Sequence, residues 1–178
     1  MKKNNIQNLT FTALMAAVLC ITGPIVIPIG MVPMSFVNMA IYLTVLMLDK
    51  KRAAISVAIY LLMGFVGLPV FAGFTGGAGK IFGPTGGYLI GYLILTWTAG
   101  IILEKKMIPQ RSMEQVVALT VGTLGLYLFG TLWLMVQAKL PAETAIAVGV
   151  LPFVLPDILK IYMAVWLGKK LNTLINLT

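Results

Sequence analysis

Two ionisable residues stand inside an apolar stretch, Asp157 and Lys160, in the run from Leu151 to Val165. An ionised group at the centre of a membrane helix costs roughly 2.5–3.5 kcal/mol on insertion scales, so it faces a cavity or a partner. A spacing of three places both side chains on one helix face. Two chemistries fit: a mutually neutralising ion pair with no ligand, or a polar binding site built around a carboxylate acceptor. Pro152 and Pro156 precede the pair. They predict a regular helix that begins only near Asp157, with the carboxylate at its start and facing the external half of the membrane.

A second candidate is the glycine-dense segment from Leu68 to Tyr88, which holds Thr75, Gly76, Gly77, Gly79 and Lys80. Gly79-Lys80 is similar to part of a P-loop, but that pattern needs glycine at 74 and serine or threonine at 81, where Phe74 and Ile81 stand. The dinucleotide pattern fails as well, because Phe82 follows Gly77 and Gly79 where a third glycine belongs. The segment keeps Phe71, Phe74, Ile81 and Phe82, whereas a flexible linker is polar and serine-rich. It reads either as a structural loop or as one that folds back over a ligand; non-helical backbone at membrane depth is tolerated where protein buries it or a cavity lies beside it.

Catalytic sets are missing from the sequence. There is no histidine, and Cys20 is the single cysteine, which excludes internal disulfides, zinc sites and histidine acid–base chemistry. An intramembrane aspartyl protease needs two carboxylates, and Asp49, Glu104, Glu114 and Glu143 lie at span ends or in loops. Ser35, Ser56 and Ser112 carry no motif of a Ser–Lys dyad. Neither an enzyme nor a cofactor is expected.

The elements that must position these residues follow from composition. Of 178 residues, 60% are hydrophobic and 10% charged, far from the ~25% charged residues of a soluble domain. That excludes a soluble enzyme and a nucleic-acid-binding domain. At ~20 residues per crossing, the length allows six spans in one membrane domain. They are expected near 9–25, 34–48, 53–67, 86–103, 115–136 and 145–168, giving an all-α integral membrane protein. The second and third are short for a full crossing, so flanking non-helical segments or local thinning are expected there. The first loop, Gly23 to Pro33, carries Pro24, Pro28, Gly30 and Pro33 but no charge.

Lys2 and Lys3, Lys50 to Arg52, Lys105, Lys106 and Arg111, and Lys169 and Lys170 punctuate one side of this pattern. Only Lys80 and Lys139 fall on the other. By the positive-inside rule, both termini are cytoplasmic. The net charge of +8 therefore marks cytoplasmic loops rather than a nucleic-acid partner. The first span is not read as a signal peptide, since no small-residue cleavage site closes it. Two pairs of small residues, Ala13/Ala17 and Gly87/Gly91, are spaced for close helix approach, either within the protein or against another membrane subunit.

Gly67-Leu-Pro-Val-Phe-Ala-Gly73, Gly83-Pro-Thr-Gly-Gly-Tyr88, Pro152-Phe, Pro156-Asp157 and Lys160, with Val32-Pro33 and the Ala13/Ala17 pair, resemble the BioY family. These are biotin-specific substrate-binding (S) components of energy-coupling factor transporters. The resemblance implies a six-helix protein of the bacterial cell membrane, with an outward-opening vitamin pocket covered by the first and third connecting loops. It implies ligand contacts from Tyr88, Asp157 and Lys160; Thr75, Gly76, Gly77 and Lys80, in the loop read as covering the ligand, complete the expected site, with Lys80 the nearest partner by sequence for an acidic group. It also implies partners: a membrane coupling subunit, met by Ala13 and Ala17 on the first helix, and two ATPase subunits. Three positions depart from the family: Thr75 where many members carry asparagine, Leu89 where some carry arginine, and Val37 where glutamine is frequent. The expected function is capture of biotin from outside. Alternatives are the same role for lipoate or a biotin precursor, or a stand-alone carrier using Asp157 as an ion or proton relay.

Overall fold

The computed structural model describes residues 5–28, 32–106 and 108–175. Lys2, Lys3 and Gly30 lie outside them. The order is α1 (Asn5–Thr22), β1 (Val26–Ile27), β2 (Met34–Ser35), α2 (Val37–Met47), α3 (Lys50–Phe65), α4 (Ala78–Ile81), α5 (Gly86–Lys105), α6 (Arg111–Ala138), α7 (Ala142–Gly149) and α8 (Leu151–Ile175). β1 and β2 form a short antiparallel ribbon pairing Val26 with Ser35 and Ile27 with Met34.

The exterior is apolar as well as the core. Leu9, Leu62, Leu128, Val136, Leu155 and Trp166 are exposed, while Thr44, Ser56, Thr96, Asp157 and Lys160 are buried. So large an apolar exterior suits lipid and not water. Among the described residues, three helices are long and apolar enough to cross a membrane: Gly86–Lys105, Arg111–Ala138 and the combined Ala142–Leu171. Ile6–Thr22 and Val37–Met47 are shorter apolar helices. With 11 residues, α2 spans only ~16 Å, and strand β2 precedes it in the chain. Two buried threonines are satisfied within their own helices, Thr44 Oγ1 donating to the Ala40 carbonyl at 2.7 Å and Thr96 Oγ1 to that of Tyr92 at 2.7 Å, whereas Ser56 Oγ reaches from α3 to the Thr12 carbonyl of α1 at 2.8 Å.

α5 packs chiefly on α6, α2 on α8, and α3 on both α1 and α5. Small residues permit the first of these contacts: a Cβ on Gly91 would fall 2.6 Å from Leu126 Cδ1, and one on Gly87 would enter Trp133. The Gly87/Gly91 pair thus serves internal packing. Lys50 Nζ pairs with Glu104 at 2.7 Å, and Gly168 approaches Leu46. These contacts gather the turns carrying Lys50–Arg52, Lys105–Arg111 and Lys169–Lys170 at one end of the bundle.

The expected helix start near Asp157 is corrected. α8 begins at Leu151, so Asp157 lies in its second turn. The break falls at Val150 (φ −127°, ψ −58°), which divides the stretch 145–168 into α7 and α8. Pro152, at the second helical position, has no N–H where none could be satisfied within the helix, so a proline is tolerated there. Pro156 remains inside the helix.

The long glycine segment is anchored rather than loose. Phe71 is completely buried, meets Tyr60 edge-on at 5.5 Å between ring centroids, and bridges to Thr75. Its ring occupies the space a side chain on Gly64 would need. Gly77, at φ +92°, donates its N–H to the Gly64 carbonyl at 2.7 Å, and Trp133 Nε1 donates to Gly83 at 3.0 Å.

Candidate binding site

Asp157 is 2% exposed and Lys160 9%. Their position on α8 turns both toward α2 and α6, whose polar side chains complete a cage. Lys160 Nζ donates to Asp157 Oδ1 at 3.0 Å. Tyr127, from α6, donates its hydroxyl to Oδ2 at 2.7 Å, and Asn38 Nδ2, from α2, donates to the same oxygen at 3.2 Å. A carboxylate has about four acceptor sites on its two oxygens. Here Oδ2 has two close donors, whereas Oδ1 has Lys160 and only a long 3.5 Å approach from Asn38. One acceptor site on Oδ1 is thus weakly used.

Lys160 has a second role. Its ammonium donates at 3.1 Å to the main-chain oxygen of Ser35, the last residue of the β1–β2 ribbon. Ser35 Oγ in turn accepts the Val37 N–H at 3.1 Å and donates to the Gly23 carbonyl at 3.4 Å. One buried cation therefore fastens the first loop to α8.

Two small cavities adjoin this cage. One, of about 40 Å³, is lined by Asn38, Tyr127, Phe153, Asp157 and Lys160 among others. The other, of about 50 Å³, is lined by Ala72, Lys80, Thr85 and Leu89 among others. Val32, Pro33, Ser35, Tyr88 and Tyr92 belong to both walls. The two cavities are chambers of one site, partitioned by the first loop and two tyrosines. Tyr88 is fixed from behind, its hydroxyl donating to the Gly149 carbonyl at 3.0 Å and lying 3.2 Å from Thr131 Oγ1.

The model matched by residues 1–176 is that of the BioY family. The chain belongs to the BioY family. It is 33% identical over 171 residues to the biotin transporter BioY2 of Lactococcus lactis subsp. cremoris, covering 96% of this chain and 93% of that one. It is 35% identical over 169 residues to the biotin transporter BioY of Thermotoga maritima, covering 94% and 97%. A crystal structure of the S-component for biotin from an ECF-type ABC transporter superposes with a TM-score of 0.89 at 31% identity, covering 97% of this chain and 95% of that one. The family and this structural neighbour are transporter components and not enzymes.

Of the residues singled out from sequence, Lys80, Tyr88, Asp157 and Lys160 line the two chambers. Thr75, Gly76 and Gly77 line neither. Thr75 is exposed, with its hydroxyl bonded to the Ala72 carbonyl at 2.9 Å, and Gly76 packs against the Leu68 backbone. Ala13 and Ala17 are exposed on α1, whereas Ala16 between them is buried. Sequence reasoning missed Asn38 and Tyr127, the two neutral donors to Asp157. Leu89 faces the Lys80 chamber and supplies no polar group there.

Proposed function

We propose that this chain is the substrate-capture subunit of an ATP-driven importer, binding biotin from outside the cell and delivering it through a separate energy-coupling module. The observation that carries the reading is the cage around Asp157. A ureido ring offers N–H donors and a carbonyl acceptor, and each unpaired polar group costs roughly 1–3 kcal/mol when buried. Asp157 Oδ1 has acceptor capacity for an N–H group, while Asn38 and Lys160 keep further N–H bonds to offer a carbonyl beside it. The acid tail runs toward the second chamber, where Lys80 stands in a wall otherwise poor in charge. Thr75, Gly76 and Gly77 shape the loop that presents Lys80.

Each chamber alone is smaller than biotin, so binding requires them to merge. Val32-Pro33 forms part of the partition, and Ser35 beside it is tied to α8 by Lys160. The first and third loops thereby act as covers. Six membrane crossings with both termini in the cytoplasm fit this arrangement: the basic turns gather at one end, and Lys80 lies beside the chambers. The partners are a membrane coupling subunit and two ATPase subunits, in the bacterial cell membrane. The exposed Ala13/Ala17 face of α1 is open to the coupling subunit, since the fold itself does not use it.

Reconstituted vesicles test the function. Biotin uptake should need the coupling subunit, the ATPases and ATP, and the purified chain alone should bind biotin without moving it. Uptake by the chain alone, driven by an ion gradient, would instead establish a stand-alone carrier.

A further inference from the structure

At the end of the bundle that carries the basic turns, a cleft of about 690 Å³ opens between the α2–α3 turn, the end of α5 and the start of α6. It shares no lining residue with either chamber. Two residues in its wall are chemically incomplete. Glu114 is only 5% exposed, and no lysine or arginine pairs with it among the described residues. Its Oε1 accepts a single long bond, 3.3 Å from the Ile108 N–H. Beside it Gln115 is 4% exposed, and its Oε1 is buried with no hydrogen-bond donor at all. Among the described residues this is the one buried side-chain polar atom left in that condition. A buried carboxylate without a cation and a buried amide oxygen without a donor ask for the same thing, a cationic group bearing N–H bonds.

The rim asks for the opposite charge. Of the other charged residues in the wall, Glu104 pairs with Lys50 and Asp49 with Arg52, whereas Lys106 and Arg111 have no acidic partner among the described residues. Arg111 opens the 28-residue helix α6, whose first N–H groups favour an anion. Between the two polar regions lie apolar walls from Leu46, Leu48 and Leu103. The volume is in the range of small-molecule sites, about 300–1,000 Å³.

We propose that this cleft holds the headgroup of phosphatidylethanolamine, with its primary ammonium on Glu114 and Gln115 Oε1, its phosphate on Lys106 and Arg111, and its glycerol along the leucines. A zwitterion with a donating amine matches both halves. A choline headgroup carries the charge but no N–H, and a glycerol headgroup carries no cation.

Native mass spectrometry of the purified full chain, delipidated and then exposed to dioleoyl lipids with ethanolamine, choline or glycerol headgroups, tests this. The ethanolamine lipid should be retained about tenfold better than the choline lipid, the value of one good charge-assisted hydrogen bond. Glu114→Gln and, separately, Gln115→Leu should bring that ratio close to one, while Arg111→Ala should weaken both phospholipids alike. Biotin binding measured on the same samples should stay unchanged. That control reports on folding and keeps this inference separate from the proposed function, whose failure would leave the lipid ratio intact. Equal retention of the ethanolamine and choline lipids by the unaltered chain would overturn the proposal, as would an unchanged preference in Glu114→Gln. Displacement of the lipid by equimolar soluble phosphoethanolamine would assign the site to a soluble ligand instead. Loss of coupling-subunit assembly in Glu114→Gln, with the lipid ratio intact, would assign it to a protein contact.

Discussion

Lys160 donates to the main-chain oxygen of Ser35 at 3.1 Å, joining α8 to the first long loop through the same ammonium that pairs with Asp157. Removing it therefore has two consequences. Lys160→Met should raise amide exchange through the β1–β2 ribbon, because the tie to α8 is lost. It should also destabilise the fold by about 3–5 kcal/mol, since Asp157 is left as a buried charge without its cation. The double variant with Asp157→Asn should recover much of that loss, and thermal unfolding in detergent would show it.

The acid end is tested through Lys80. Lys80→Met should weaken biotin binding modestly, by about 1 kcal/mol, because a partly exposed cation is screened. The same substitution should matter less for a biotin amide, which has no carboxylate to lose. Calorimetry with both ligands measures the difference; equal losses would remove the carboxylate role.

Much of the site was legible in the sequence because charge inside an apolar span is rare. Asp157 and Lys160 stand out on that ground alone. Asn38 and Tyr127 do not, since a neutral polar residue in an apolar helix has many ordinary uses and only the packing of α2 and α6 on α8 brings these two to the carboxylate. The helix start was misread for a related reason: prolines at 152 and 156 look like breakers, but one falls in the first turn, where its missing N–H matters little, and the other is absorbed within α8. Thr75, Gly76 and Gly77 were expected to meet the ligand, yet their visible work is backbone geometry, a role that sequence spacing does not separate from ligand contact. Gly87/Gly91 and Ala13/Ala17 have the same spacing, and only burial tells the internal pair from the exposed one.

That exposure yields a prediction. Leucine at both Ala13 and Ala17 should leave biotin binding within about twofold, because neither position packs inside the fold. Assembly with the coupling subunit and uptake should fall together, since a close helix approach is blocked. Co-purification and uptake assays measure both; a parallel loss of binding would return the pair to internal packing.

Orientation is accessible to an impermeant amine reagent on intact cells. Lys80 and Lys139 should label, and Lys50 and Lys51 should label only after permeabilisation. Labelling of Lys50 from outside would reverse the topology and close the proposed entrance.

The central claim is that Asp157 accepts a ureido N–H group of biotin. Isothermal calorimetry of biotin binding to Asp157→Asn, beside the unaltered chain, addresses it most directly. Loss of a buried, hydrogen-bonded charge partner costs about 2–5 kcal/mol, so affinity should fall at least about 30-fold. Undiminished affinity in Asp157→Asn would contradict the account.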